Sequence, residues 1–240
     1  MSNPKMKNTN MISARPQGGD CPLDCSECFY NSEDYYEDKS KASMPTIDEA
    51  KEKIVKVNDG HDSNIDSDRV KSTTARYKDK FYNTSLPMLF FDKPTILTIN
   101  GKDTDKSYIN PRDIRGNLNT LMTIRFRVNL WNIGLCEDAI NMYRADGIRT
   151  PFLLTDMRYK NIASIPKNFR KWYEYKEHVS NSYYRLNKNG LDILFTYLMR
   201  YFGVYWCGNP FTKSTLCEDC FLCEHFYIVC KSKINWVKKR

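Results

Sequence analysis

Seven of the nine cysteines in this 240-residue chain fall into two groups: Cys21, Cys25 and Cys28 near its start, and Cys207, Cys217, Cys220 and Cys223 near its end. A chain of this length buries a full apolar core without disulfide staples. Residues 1–10 are polar and lack the apolar stretch of a secretory signal, so the expected setting is a reducing cytoplasm with thiols free or metal-bound. The fold must therefore place two thiol groups where they can hold metal.

The rest of the composition describes a folded protein without a membrane span. Hydrophobic residues make up 41% and charged residues 28%, which argues against disorder. The most apolar stretch, Leu191 to Tyr205, is short and broken by Asp192 and Arg200. The net charge of +8 is uneven: Asp20 to Asp38 holds seven acids and no base, whereas the end of the chain carries Lys231, Lys233, Lys238, Lys239 and Arg240. A basic tail of this kind hints at an acidic partner, or is simply solvated.

Along the chain, Asn8 to Ala14 reads as a strand, and Pro16, Gly18 and Gly19 then break it, which puts the first cysteines in a loop. Thr46-Ile47-Asp48-Glu49 is a capping box, and Ile47, Ala50, Ile54 and Val55 predict a helix to about Val57. Asn58 to Lys80 is polar and aperiodic, as a surface excursion would be. Pro94 to Asn100 predicts a strand, and Asn110-Pro111 opens a second helix with Ile114, Leu118, Leu121 and Met122 on its apolar face. Thr123 to Trp131 alternates as a strand, Leu135 to Tyr143 is a helix, and Pro151 to Asp156 a strand. Leu191, Leu194, Phe195, Leu198 and Phe202 mark a buried helix before a last strand, Val204 to Trp206. Strands alternating with helices at these spacings predict an α/β fold with a mostly parallel sheet over residues 1–206, followed by a small Cys-rich extension, 207–240, with its basic tail.

The first group, Cys21-x3-Cys25-x2-Cys28, is rich in thiolate and has no nearby histidine. Three thiolates suit a four-iron cluster that keeps one iron open to a ligand; a zinc knuckle is the competing reading. The second group supplies four thiolates, enough to close an iron–sulfur or structural zinc site; Cys230, or less readily His225, could substitute for Cys207. Cys136 lies inside a helical pattern and reads as a small buried hydrophobe. His61 and His178 carry no partner pattern.

The first cysteine group resembles the hallmark of the radical S-adenosylmethionine (SAM) superfamily, in which C-x3-C-x2-C lies in the loop after the first strand. The resemblance extends by order of elements from about Asn8 to Asp156. It implies a partial (β/α)6-type barrel, a 4Fe-4S cluster on Cys21, Cys25 and Cys28, and SAM bound through its amino and carboxylate groups at the fourth iron. One-electron reduction, supplied by a flavodoxin- or ferredoxin-like reductant, then cleaves SAM to a 5′-deoxyadenosyl radical that abstracts hydrogen from substrate. Carried over by position, the second-strand glycine loop corresponds to Asn100, Gly101, Lys102 and Asp103 in place of the usual Gly-Gly-Glu-Pro. Asn129 and Asn132 correspond to polar residues near the cofactor, and Thr155 or Asp156 to the ribose contact. Phe29 would take the aromatic role that Glu27 leaves open. The family also contains auxiliary clusters, which fits a second 4Fe-4S cluster, or zinc, at Cys207, Cys217, Cys220 and Cys223.

From Arg158 to Arg200 nine bases are interleaved with aromatic residues against three acids. That pattern suits a nucleic-acid, nucleotide or peptide substrate, or an aromatic core with a solvated basic face. The alternative from another class is a noncatalytic, zinc- or iron-sulfur-stabilised nucleic-acid-binding module.

Overall fold

The computed structural model describes residues 6–23, 25, 28, 30, 39–100, 110–177, 182–212 and 214–238. Seven strands form one sheet: β1 (Met11–Ala14), β2 (Ile54–Val57), β3 (Lys80–Thr84), β4 (Thr95–Ile99), β5 (Leu121–Val128), β6 (Phe152–Asp156) and β7 (Val204–Trp206). They lie in chain order and every neighbouring pair is parallel. The α/β class and the parallel sheet are therefore as expected, whereas the pairing runs open from β1 to β7 with no pair joining those two edges among the described residues.

Strand order that follows the chain has a consequence. Right-handed crossovers that always step in the same direction put their helices on one face, leaving the other face for something else. Side-chain alternation shows both faces. On β6, Phe152 and Leu154 join the core formed with α3 (Ile133–Ala145) and α4 (Lys188–Leu198), through Cys136, Ile140, Tyr143, Leu191 and Leu194. Leu153, between them, points the other way and packs with Met11, Phe81 and Ile96 against α5 (Leu222–Val237), which contributes Phe226, Tyr227, Cys230 and Ile234. Tyr205 on β7 meets Phe226 edge-on at 5.3 Å, while its neighbour Trp206 meets Phe195 of α4 at 5.0 Å.

The segment expected as a Cys-rich extension thus carries a helix across the inner face of the sheet. Glu224 accepts hydrogen bonds from the backbone and side chain of Asn10, Tyr227 donates to Asp79 at 2.9 Å, and Lys231 is paired with Asp79. The C-terminal bases Lys231 and Lys233 belong to this helix.

Other expectations need correction. The capping box on Thr46 forms, but α1 (Ile47–Ala50) is a single turn, ended by Lys51 and by Glu52 at φ +63°. Ile54 and Val55, expected on the same helix, belong to β2: β-branched residues covered on both faces of a parallel sheet mimic one turn of a helical pattern. The expected helix from Asn110 gives only two 3₁₀ turns, Pro111–Asp113 and Leu118–Thr120, with the chain extended between them at Gly116 (φ +100°), where a Cβ would collide with the Leu89 carbonyl. Leu121 and Met122 begin β5 instead. The presumed surface excursion 58–80 contains α2 (Ser67–Thr74) and a loop with Asn58, Asp59, Asp62 and Ser63 buried. Phe202, expected in the buried helix, is 95% exposed beyond its end.

Candidate metal and cofactor site

The loop after β1 is anchored from below. Arg15, 2% exposed, donates to the Tyr30 hydroxyl (2.8 Å) and to the carbonyls of Lys39 (3.0 Å) and Lys41 (2.8 Å); Tyr30 in turn donates to the Gly19 carbonyl at 2.7 Å. Gly18 passes so close to the Ser40 carbonyl that a Cβ would collide with it. This clamp fixes the ends of the segment that carries Cys21, Cys25 and Cys28.

All three thiols line one cavity of about 210 Å³ at the C-terminal ends of the strands. Cys207, Cys217 and Cys223 line the same cavity, so the two groups, separated by about 180 residues of chain, share one chamber. Cys220 is not on its wall, although it lies close enough to Cys207 and Cys223 for their charges to raise its pKa. Cys230 is elsewhere: its thiol faces the carbonyls of Asn119 and Thr120 (3.5 and 3.7 Å), so it does not replace Cys207. Cys136 is fully buried in the α3 core, and His225 is exposed on α5.

Burial holds Cys21, Cys25, Cys217, Cys220 and Cys223 protonated in the metal-free protein. It pushes Cys21 up to about 11, with Asp62, Cys25 and Cys28 adding to the rise against a hydrogen bond at Leu23. Cys25 is raised by burial and by Cys28, with Arg127 pulling the other way. In the second group burial pushes Cys217 and Cys220 up to about 12 and raises Cys223, whose thiolate Arg125 and Lys56 favour. Among the described residues no set of three or more histidine, cysteine or carboxylate groups stands at metal-ligand spacing. The donor chemistry nonetheless fits a thiolate-bound metal: soft sulfur ligands face each other across a cavity that also supplies cations to offset their charge.

The wall comes from the inner-face positions of the strands and from the loops that follow them. Lys56 on β2 pairs with Asp59, which also accepts from Ser13 at 3.3 Å. Burial works most strongly against the Lys56 charge, but Asp59, together with Cys217 and Cys223, holds its pKa above the ordinary lysine value. Asp62 accepts from the Ser85 backbone, from Asn64 N–H (2.8 Å) and from Thr84 Oγ1 (2.9 Å); burial still raises its pKa. His61, at φ +72°, accepts the Asp62 N–H through Nδ1 (3.0 Å), and burial lowers its pKa. Two side-chain carbonyl oxygens on the wall, Asn58 Oδ1 and Asn83 Oδ1, are buried without a hydrogen-bond partner.

Of the cofactor contacts expected from position, Asn100, Thr155 and Asp156 line the cavity. Asn100 Nδ2 reaches Cys25 Sγ at 3.5 Å and Ser85 Oγ at 2.8 Å, and its Oδ1 accepts from Arg127 at 3.4 Å. Asn129 and Asn132 do not line it. They are buried in the turn after β5, where each side-chain oxygen accepts a backbone N–H of the other (2.8 Å) and Asn129 donates to the Tyr159 hydroxyl at 3.0 Å. Their polarity holds a turn. Phe29, Gly101, Asp103 and His178 lie outside the described residues.

Sequence reasoning missed Lys56, Asn58, Asp59, Asp62, Asn83, Arg125 and Arg127. The second strand is Ile54–Val57, so the loop that follows it is Asn58-Asp59-Gly60-His61-Asp62, two strands earlier than the loop at Asn100. A turn-forming Asn-Asp-Gly directly after Ile54-Val55-Lys56-Val57 was the available signal. From the basic and aromatic stretch, Tyr159, Phe169, Trp172 and Tyr173 pack in or against the α3–α4 core, while Arg158, Lys160 and Tyr183 reach the cavity.

Compared with known proteins, the chain matches no family model, no curated protein and no solved structure.

Proposed function

We propose that this chain is a radical SAM enzyme whose cavity holds a four-iron cluster and SAM on one side and a second thiolate-bound metal on the other. The observation that carries the reading is the position of Cys21, Cys25 and Cys28: a C-x3-C-x2-C loop leaves the first strand of a parallel sheet and presents its thiols to a cavity at the strands' C-terminal ends. On this reading the open sheet is a partial barrel of that superfamily. Cys21, Cys25 and Cys28 would hold the cluster, which would supply one-electron reductive cleavage of SAM when bound.

The chain's own residues bind and orient. Asn58 Oδ1, buried and lacking a donor, suits the SAM amino group, and it lies in the loop after the true second strand. Arg127, beside Cys25, suits the carboxylate, and Thr155 or Asp156 the ribose hydroxyls. Asn100 donates to Cys25 Sγ and so tempers that thiolate's charge. The Arg15–Tyr30 clamp keeps the loop closed under the cavity and limits water entry from that side. Cys207, Cys217, Cys220 and Cys223 would hold a second iron–sulfur cluster or zinc.

The test is anaerobic reconstitution with iron and sulfide, followed by dithionite and SAM. Release of 5′-deoxyadenosine by the wild type and its loss in Cys25→Ala, with iron retained at the second group, supports the reading. A reconstituted wild type with a four-iron signal from the first group and no 5′-deoxyadenosine would sink it.

A further inference from the structure

One cation in the cavity has no work in the scheme above. Arg125 sits at the centre of the sheet on β5, opposite Thr98 of β4 and Leu153 of β6, and its side chain lines the cavity. Lys56 has Asp59, Arg127 has Asn100, and Arg158 bonds Thr215 and covers the Tyr183 ring at 4.7 Å. Arg125 makes no hydrogen bond or ion pair among the described residues, and its Nε is buried. A guanidinium whose buried Nε–H meets no acceptor is costly unless a ligand completes it.

We propose that Arg125 is the anchor of an oxyanion subsite, so that the substrate carries a carboxylate or phosphate bound on the cavity floor. The planar fork of the guanidinium matches either group through two parallel hydrogen bonds. A second observation gives the ligand more shape: Asn83, 7% exposed and on the same wall, spends its amide N–H on the Val57 carbonyl at 2.8 Å and leaves Oδ1 without a donor. The ligand therefore presents an N–H or O–H donor as well as an oxyanion. The floor below this pair is apolar, made by Phe81, Ile96 and Leu153 against α5, so the charged group cannot find an alternative partner deeper in the protein. The inference deepens the proposed function by giving the substrate its charge, and it rests on that reading only in calling the ligand a substrate.

The test uses the full chain reconstituted with iron and sulfide, titrated calorimetrically with sodium phosphate and separately with sodium acetate at constant ionic strength. Wild type, Arg125→Met, Arg125→Lys and Asn83→Leu are compared, with iron content measured for each. The expected result is saturable binding of at least one probe, weakened about tenfold or more in Arg125→Met and less in Arg125→Lys, with iron content unchanged. The tighter probe separates phosphate from carboxylate. Binding of both probes that is unchanged in Arg125→Met, or absent in the wild type, overturns the proposal. Loss of half the iron in Arg125→Met also overturns it, because Arg125 would then be the counter-ion of the second thiolate group. SAM cleavage is scored separately. Arg125-dependent anion binding without 5′-deoxyadenosine leaves the subsite standing and removes the radical reading, while the reverse result does the opposite.

Discussion

Replacing Lys56 by Met should destabilise the protein by about 3–5 kcal/mol, because it takes the cation away from a carboxylate that stays buried. Asp59 is 4% exposed and Lys56 9%, and the two are in direct ion-pair contact. The sign of the pH dependence follows from the wild-type lysine, whose folded pKa lies above its ordinary value. Its stabilising contribution is whole at neutral pH and fades only as the solution becomes alkaline enough to pass that raised value. Urea unfolding of the metal-free, reduced protein, followed by circular dichroism, should show a midpoint lower by roughly 1–2 M at pH 7. The double variant Lys56→Met/Asp59→Leu, which removes both charges, should recover most of the loss. A single variant within about 1 kcal/mol of wild type at pH 7, or a double variant no more stable than the single one, refutes the reasoning.

Further expectations follow from the same geometry. Since Cys21 is pushed up to about 11 and Cys217 and Cys220 to about 12, metal uptake must expel protons, and affinity for zinc or ferrous iron should rise with pH; dye-detected proton release checks this, and pH-independent affinity between pH 6.5 and 8.5 contradicts it. The same raised thiols bind more protons folded than unfolded, so the metal-free protein should lose stability as pH climbs from about 9 towards 12. Gly18→Ala forces the chain away from the Ser40 carbonyl and should cost the first group its iron while the second keeps its own, read by iron analysis alongside Cys25→Ala. Ile234→Ala, at the contact of α5 with the inner face, should cost about 2–4 kcal/mol in urea unfolding.

Residues 95–99, 133–145, 152–156 and 204–206 were legible because each has one clear period and clean stops at Gly, Asn or Pro. The stretch 46–57 was not: Ile47, Ala50, Ile54 and Val55 fit one face of a helix, while Ile54 and Val55 fit a strand covered on both faces equally well, and only tertiary context separates the two. That error had a cost at the site. With β2 and β3 unrecognised, the strand count slipped by two, the loop after the second strand was sought at Asn100, and Asn58 was passed over. Asn129 and Asn132 show the opposite limit, since polar residues at a strand end serve a turn as readily as a ligand, and their spacing fits both. The cysteine groups were legible as groups, but nothing in spacing alone says that loops about 180 residues apart face one cavity; that follows from a sheet whose strands keep chain order.

The helix on the inner face, Leu222–Val237, is synthesised after every strand it covers. Until it is made, Met11, Phe81, Ile96 and Leu153 form a greasy surface on a nascent sheet that already has its outer helices, which is the kind of state that invites chaperones or aggregation. Because Cys217, Cys220 and Cys223 immediately precede or open that helix, metal capture there would act as a latch, locking this late-made segment in place and sealing the chamber only once translation has passed residue 237.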